Sequence, residues 1–199
     1  MGTLARLSAI ACAAFLAGCT TTYVSPVEVT RFVGNQPQQL GSGPIAVRAG
    51  PGDAPDSLEQ GLFREAVARE LQGQGYVIVN GDAPQVAEVI VTQMVEQPGF
   101  DNRPVSGGVG VAGGTHTRGT SVGMGVGIDL TPRPADRLHR ELRVMIKPAA
   151  GGTALWEGRA RFAASTNSDY AETQAAAGKL AGALFSGFPG QSGETIEVR

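Results

Sequence analysis

The sequence is poor in the residues that usually carry chemistry. Only two of its 199 residues are cysteine, two are histidine and one is tryptophan. The cysteines, Cys12 and Cys19, both lie near the N-terminus, so nothing after Cys19 can form a disulfide, act as a thiolate nucleophile or build a zinc–thiolate cluster. His116 and His139 are too few for a multi-histidine site, and neither has the carboxylate spacing of a histidine–carboxylate site. No metal and no cofactor is expected. Charge is nearly balanced, with 16 Lys and Arg against 18 Asp and Glu, which excludes the basic surface that a nucleic-acid partner needs. Aromatic content is 6% within a hydrophobic content of 42%, so the core must be mainly aliphatic. After Cys19 no run of 18 apolar residues occurs, and no membrane-spanning helix is expected there.

What is present starts at the N-terminus. Arg6 precedes a short apolar run over 7–16 that ends in small residues, the pattern of a secretory signal peptide. Leu16-Ala17-Gly18-Cys19 resembles the bacterial lipobox. The resemblance implies a signal peptide over 1–18, a thioether-linked diacylglycerol on Cys19, and acylation of the new N-terminus. Each buried methylene contributes about 0.8 kcal/mol, and more than one chain makes anchoring stable. Thr20 follows Cys19 where Asp would signal retention in the inner membrane. The pattern resembles that of outer-membrane lipoproteins facing the periplasm. Residues 19–26 read as a tether, and 27–199 as a single domain.

The remaining pattern alternates strands and helices. Residues 27–33 alternate apolar and polar, as a half-buried strand does, and 45–48 form a second strand. Ser57 and Gln60 resemble a capping box. Leu58, Leu62, Phe63, Ala66, Val67 and Leu71 then fall on one helical face, with Gly73 and Gly75 as stops. Strands are expected over 76–79 and 86–95, the latter central because both its faces are apolar. Residues 105–130 are mostly glycine and valine with a period of two, which reads as a β-hairpin with its tip near 113–119. Strands over 138–147 and 154–162 follow, then a helix over 169–186 with Tyr170, Ala177, Leu180, Ala181, Leu184 and Phe185 as its buried stripe. Residues 195–198 form a last short strand or a tail. This order predicts an α+β fold: a mostly antiparallel sheet, two helices packed on one face, and a Gly-rich hairpin.

Five features invite a functional reading. Gly108-Val109-Gly110-Val111-Ala112-Gly113 matches the dinucleotide fingerprint, with Asp129 downstream, but no helix follows to receive a pyrophosphate. Gly119-Thr120-Ser121-Val122-Gly123 matches the hydrolase elbow, and Asp136 and His139 follow in hydrolase order. The elbow needs a strand-to-helix turn, whereas Ser121 leads into a strand. Glu65 and Glu70 lie beside Arg64 and Arg69 on a solvated helix face. Trp156 reads as a core anchor or a partner contact. The glycine–valine stretch reads as a flexible loop, or as an edge that pairs with another chain or sits near the membrane; Val111 and Met124 would present that surface, together with Trp156.

Gly75-Tyr76, Ala87-Glu88-Val89-Ile90-Val91, Trp156-Glu157-Gly158-Arg159-Ala160 and Leu184-Phe185-Ser186-Gly187-Phe188-Pro189, in this order, resemble a family of bacterial envelope lipoproteins called domain of unknown function 4136. The likeness covers about residues 27–190, and Glu88 stands where members often have Asp. The family implies a lipid-anchored α+β domain and carries no established catalytic residues. The expectation is a non-enzymatic lipoprotein that touches the membrane through Cys19 and binds an envelope protein or ligand. Two alternatives stand beside it: a serine hydrolase using Ser121, and a homo-oligomer built through the Gly-rich hairpin.

Overall fold

Val27 and Val29 are buried and alternate with half-exposed Glu28 and Thr30, which makes the first strand, β1 (Val27–Val33). The computed structural model describes residues 21–54, 57–97 and 134–199. The Gly-rich stretch at 105–130, with Val111, His116, Ser121, Met124 and Asp129, lies outside the described residues, as does Cys19. Six further strands follow: β2 (Gly43–Ala49), β3 (Tyr76–Ile78), β4 (Gln85–Glu96), β5 (Arg137–Pro148), β6 (Trp156–Ser165) and β7 (Thr195–Val198). Two helices, α1 (Leu58–Gly73) and α2 (Thr173–Phe185), complete the body. They pack against each other and cover one face of the sheet.

The sheet order is β3-β2-β4-β5-β6-β1-β7. It is a mixed sheet, not the mostly antiparallel one expected. The class remains α+β, but β2 pairs in parallel with both β3 and β4. The cause is connectivity. Helix α1 is a crossover between β2 and β3, and a crossover returns the chain in the same direction. β3 pairs with only the first part of β2, Gly43 to Ile45. The chain then turns through Gly81, whose φ is +126°, and pairs with the second part of β2 from the other side, Ile45 to Ala49.

Ser57 caps α1 by accepting from the Gln60 N–H at 3.5 Å. The Gln60 side chain does not return to close the box; its Nε2 donates to Asp53 Oδ2. That carboxylate also accepts from the Val91 N–H at 3.1 Å, which caps the edge of β4 where β2 has ended. Leu58, expected on the buried face, is 90% exposed, because it stands in the first turn ahead of the sheet. A 3-10 turn, Asp169–Ala171, precedes α2, so the second helix begins later than its apolar stripe suggested.

Two buried arginines hold α2. Arg31 points into the core in phase with Val27 and Val29, and is 5% exposed. Its Nε donates to Leu184 O at 3.0 Å, and its Nη2 to Ala183 O at 3.1 Å and Ser186 O at 2.6 Å. These carbonyls belong to the last turn and C-cap of the helix, which have no helical partners, and the negative end of the helix dipole favours a cation there. Burial pulls the Arg31 pKa down, with Glu194 countering. Arg140, in phase with Leu142 and Val144, donates to Tyr170 O, Ala171 O and Gln93 Oε1 at 2.7–2.8 Å. One guanidinium thus fixes the approach to α2 and the other its exit.

Tyr76 is 3% exposed, and burial pushes its phenol above the ordinary value of 10.0, with a Gly41 backbone group pulling weakly the other way. The fold favours the neutral phenol. Its contribution is complete below about pH 10 and is lost as pH rises through the higher folded-state value. Thermal unfolding midpoints should therefore fall in the wild type as pH rises past about 10, and fall less steeply in Tyr76→Phe. Equal slopes would show that Tyr76 does not couple ionisation to unfolding.

Candidate functional site

The face of the sheet opposite the helices is open, and its rows follow from strand register. One row runs Thr92, Glu141, Arg161, Glu28 and Glu197 across β4, β5, β6, β1 and β7. The next runs Ile90, Arg143, Arg159, Thr30 and Thr195. Glu141, Arg161 and Glu28 alternate in sign along the first row, while Glu28 faces Glu197 and Arg143 faces Arg159. Arg161 Nη2 donates to Glu28 Oε1 at 2.6 Å, and this bond raises the Arg161 pKa further. Glu141 Oε1 lies 2.8 Å from Arg143 and 3.5 Å from Arg159. Lys147 and Glu88 pair at 2.7 Å. Such half-exposed pairs contribute little stability each; their effect is to make the face polar and matched in sign.

At the end of this face lies a shallow groove of about 860 Å³. Tyr23, Pro26, Met94 and Ala163 supply apolar surface, and the Glu28–Arg161 and Glu96–His139 pairs stand at its rim. The N-terminal segment helps to build it. Tyr23 N–H donates to Ser165 Oγ, Ser25 N–H to Ala163 O, and Ala163 N–H to Ser25 Oγ, at 2.8–2.9 Å. Residues 23–25, read from sequence as tether, are in fact zipped to the end of β6. The Arg137 guanidinium lies 4.6 Å from the Tyr23 ring centroid.

The sequence candidates divide between this body and the undescribed stretch. Cys19, the 108–113 glycine motif, His116, Ser121, Val111 and Met124 lie outside the described residues. His139 Nε2 stands 2.6 Å from Glu96 Oε2 across the β4–β5 ladder, about half exposed, and Asp136 accepts the Thr166 N–H through its backbone carbonyl. Glu65 pairs with Arg69 at 2.7 Å on the exposed side of α1. Trp156 is wholly buried. It stacks on Phe185 with centroids 5.4 Å apart, lies against Phe188, and donates from Nε1 to Pro189 O at 2.9 Å. It anchors the core and presents no surface to a partner. Among the described residues no three His, Cys, Asp or Glu side chains gather to hold a metal ion, and no helix is long and apolar enough to cross a membrane. The arrangement is a shallow groove with paired charges along it.

Sequence reading missed the groove and the two arginines. For Arg31 and Arg140 a signal existed: each sits at a buried position of an alternating strand.

No family model matches the chain. A protein of Zymomonas mobilis subsp. mobilis, described as uncharacterized, is 25% identical over 93% of this chain and 84% of its own length. Among solved structures, the PelC dodecamer from Paraburkholderia phytofirmans is 10% identical, with a TM-score of 0.43 over 86% of this chain and 100% of the other. A PDZ domain protein from Parabacteroides distasonis is 14% identical, with a TM-score of 0.46 over 96% of this chain and 41% of the other.

Proposed function

We propose that this chain is a lipid-anchored lipoprotein of the bacterial envelope. In this reading Cys19 becomes the acylated N-terminus, held in the inner leaflet of the outer membrane, and the α+β body faces the periplasm as a non-catalytic binding module. The observation that carries the reading is Leu16-Ala17-Gly18-Cys19 directly after a short apolar run with one leading arginine. The resemblance of the later motifs to envelope lipoproteins supports it. So does the chemistry of the open face, where the charged groups neutralise one another, as suits association with an envelope protein or ligand. The anchor is tested by growing an expressing host with labelled palmitate. Label should enter the wild type and be lost in Cys19→Ser, which should also leave the membrane pellet on fractionation. Incorporation that persists in Cys19→Ser sinks the proposal. The non-enzymatic part fails if a fluorophosphonate probe labels the wild type but not Ser121→Ala.

A further inference from the structure

The described body exposes seven large hydrophobic side chains, and they are unevenly placed. Phe32 lies at the far end of β1, Val77 on the edge strand β3, and Leu58 in the first turn of α1. The other four, Tyr23, Val24, Met94 and Val95, are 38–66% exposed and share one end of the sheet. Register places Val24 and Val95 at the two ends of one row. Val24 pairs with Ala164, Ala164 with Leu138, and Leu138 with Val95, forming one row across four chain segments. Tyr23 and Met94 project from the rows on either side, toward the open face. The four therefore share the end of the sheet, two on each of its faces, and a surface that meets this end meets all of them.

The position of Cys19 says what covers this end. It lies four residues before Tyr23, whose N–H donates to Ser165 Oγ and whose carbonyl accepts from the Ser165 N–H. A fully extended chain spans roughly 3.5 Å per residue, so the acylated sulfur sits within about 14 Å of Tyr23. The side chains here also suit a headgroup layer. Tyr23 combines an apolar ring with a polar tip, a residue type favoured at membrane–water interfaces. The Arg137 guanidinium over its ring can reach a phosphate while its stem stays among apolar groups.

We propose that Tyr23, Val24, Met94 and Val95, with Arg137, form a membrane-contact surface that seats this end of the sheet on phospholipid headgroups. The inference rests on the anchor at Cys19 and adds an orientation: the strand ends at Glu96 and Arg137 face the bilayer, and the Phe32 end of β1 points away. Phe32 is eight residues from Val24 along an extended segment, roughly 27 Å at strand rise.

The absence of cysteine after Cys19 makes the test simple, because once Cys19 is acylated an introduced thiol stands alone. The full-length lipidated protein, carrying Met94→Cys, Val95→Cys or Phe32→Cys, is labelled with a nitrobenzoxadiazole dye. It is then reconstituted into phosphatidylethanolamine–phosphatidylglycerol vesicles containing a lipid spin-labelled near its glycerol. Flotation with the vesicles and an unchanged tryptophan emission check anchoring and folding. The expected result is several-fold stronger quenching by the spin-labelled lipid at 94 and 95 than at 32, with iodide in the buffer giving the reverse order. Equal quenching by iodide at all three positions, in protein that floats, overturns the surface and leaves the anchor standing. Protection at 94 from both quenchers also overturns it, since protein rather than lipid would then cover the patch. Wild-type protein that fails to float removes the anchor, and the orientation falls with it.

Discussion

Replacing Arg31 with methionine is expected to lower the free energy of unfolding by roughly 3–5 kcal/mol. Methionine can fill the channel of the arginine stem but donates nothing. Ala183 O, Leu184 O and Ser186 O would then lose their donors together. Each buried acceptor left alone costs about 1–3 kcal/mol, less where water reaches it, and water can reach exposed Ser186. Arg31→Lys should fall between wild type and methionine, because one ammonium keeps the charge at the helix end but cannot span three carbonyls in one plane. Gly190 belongs to the same device: a Cβ there would lie 2.8 Å from Arg31 Cδ, so the loop closes over the guanidinium only because that residue is small. Urea midpoints of the three proteins provide the measurement. A methionine variant within about 1 kcal/mol of wild type would show that water replaces the guanidinium without difficulty.

Local physics was easier to read from the chain than pairing. The Phe63, Ala66, Val67, Leu71 stripe and the Ser57 cap place α1 correctly, because both depend on neighbours within four residues. The alternation of Leu142, Val144 and Ile146, and of Trp156, Gly158 and Ala160, likewise gives β5 and β6 and their buried face. Strand direction is a different matter. Nothing in Tyr76-Val77-Ile78 says that it pairs parallel with one part of β2 while β4 takes the rest. The expectation of a mostly antiparallel sheet therefore missed the parallel pairings of β2. The site divides in the same way. The proposed anchor at Cys19 rests on a linear motif and needs no pairing to be read. The groove and the apolar end do need it, because they join residues 23–26, 94–96, 137–139 and 163–165, which only register brings into contact. Met94 and Val95 looked like core, since their strand is apolar on both faces; β2 ends at Ala49 and leaves them uncovered.

Gly158 carries the other large effect, and its sign depends on a single neighbour. Trp156 and Gly158 are two apart on β6 and share its buried face, and the indole lies flat across the glycine. An added Cβ would sit 2.2 Å from Trp156 Cη2 and 2.8 Å from Leu184 Cδ1. The ring cannot yield cheaply, because it is held between Phe185, Phe188 and the Pro189 carbonyl. Gly158→Ala should therefore cost about 1–3 kcal/mol by overpacking, and Gly158→Val more. Trp156 is the only tryptophan in the chain, so its emission reports the displacement directly: a shift to the red in Gly158→Val, together with a lower unfolding midpoint. Gly178 supplies the contrast. It lies inside α2, and nothing stands within 4 Å of the Cβ it would gain. There alanine removes backbone entropy from the unfolded chain and should stabilise by about 0.5–1 kcal/mol with emission unchanged. Two identical substitutions with opposite signs would locate the constraint in the space above the strand. If Gly158→Ala were neutral with unshifted emission, the indole would have to occupy another rotamer, and the stacked arrangement of Trp156 on Phe185 would be wrong.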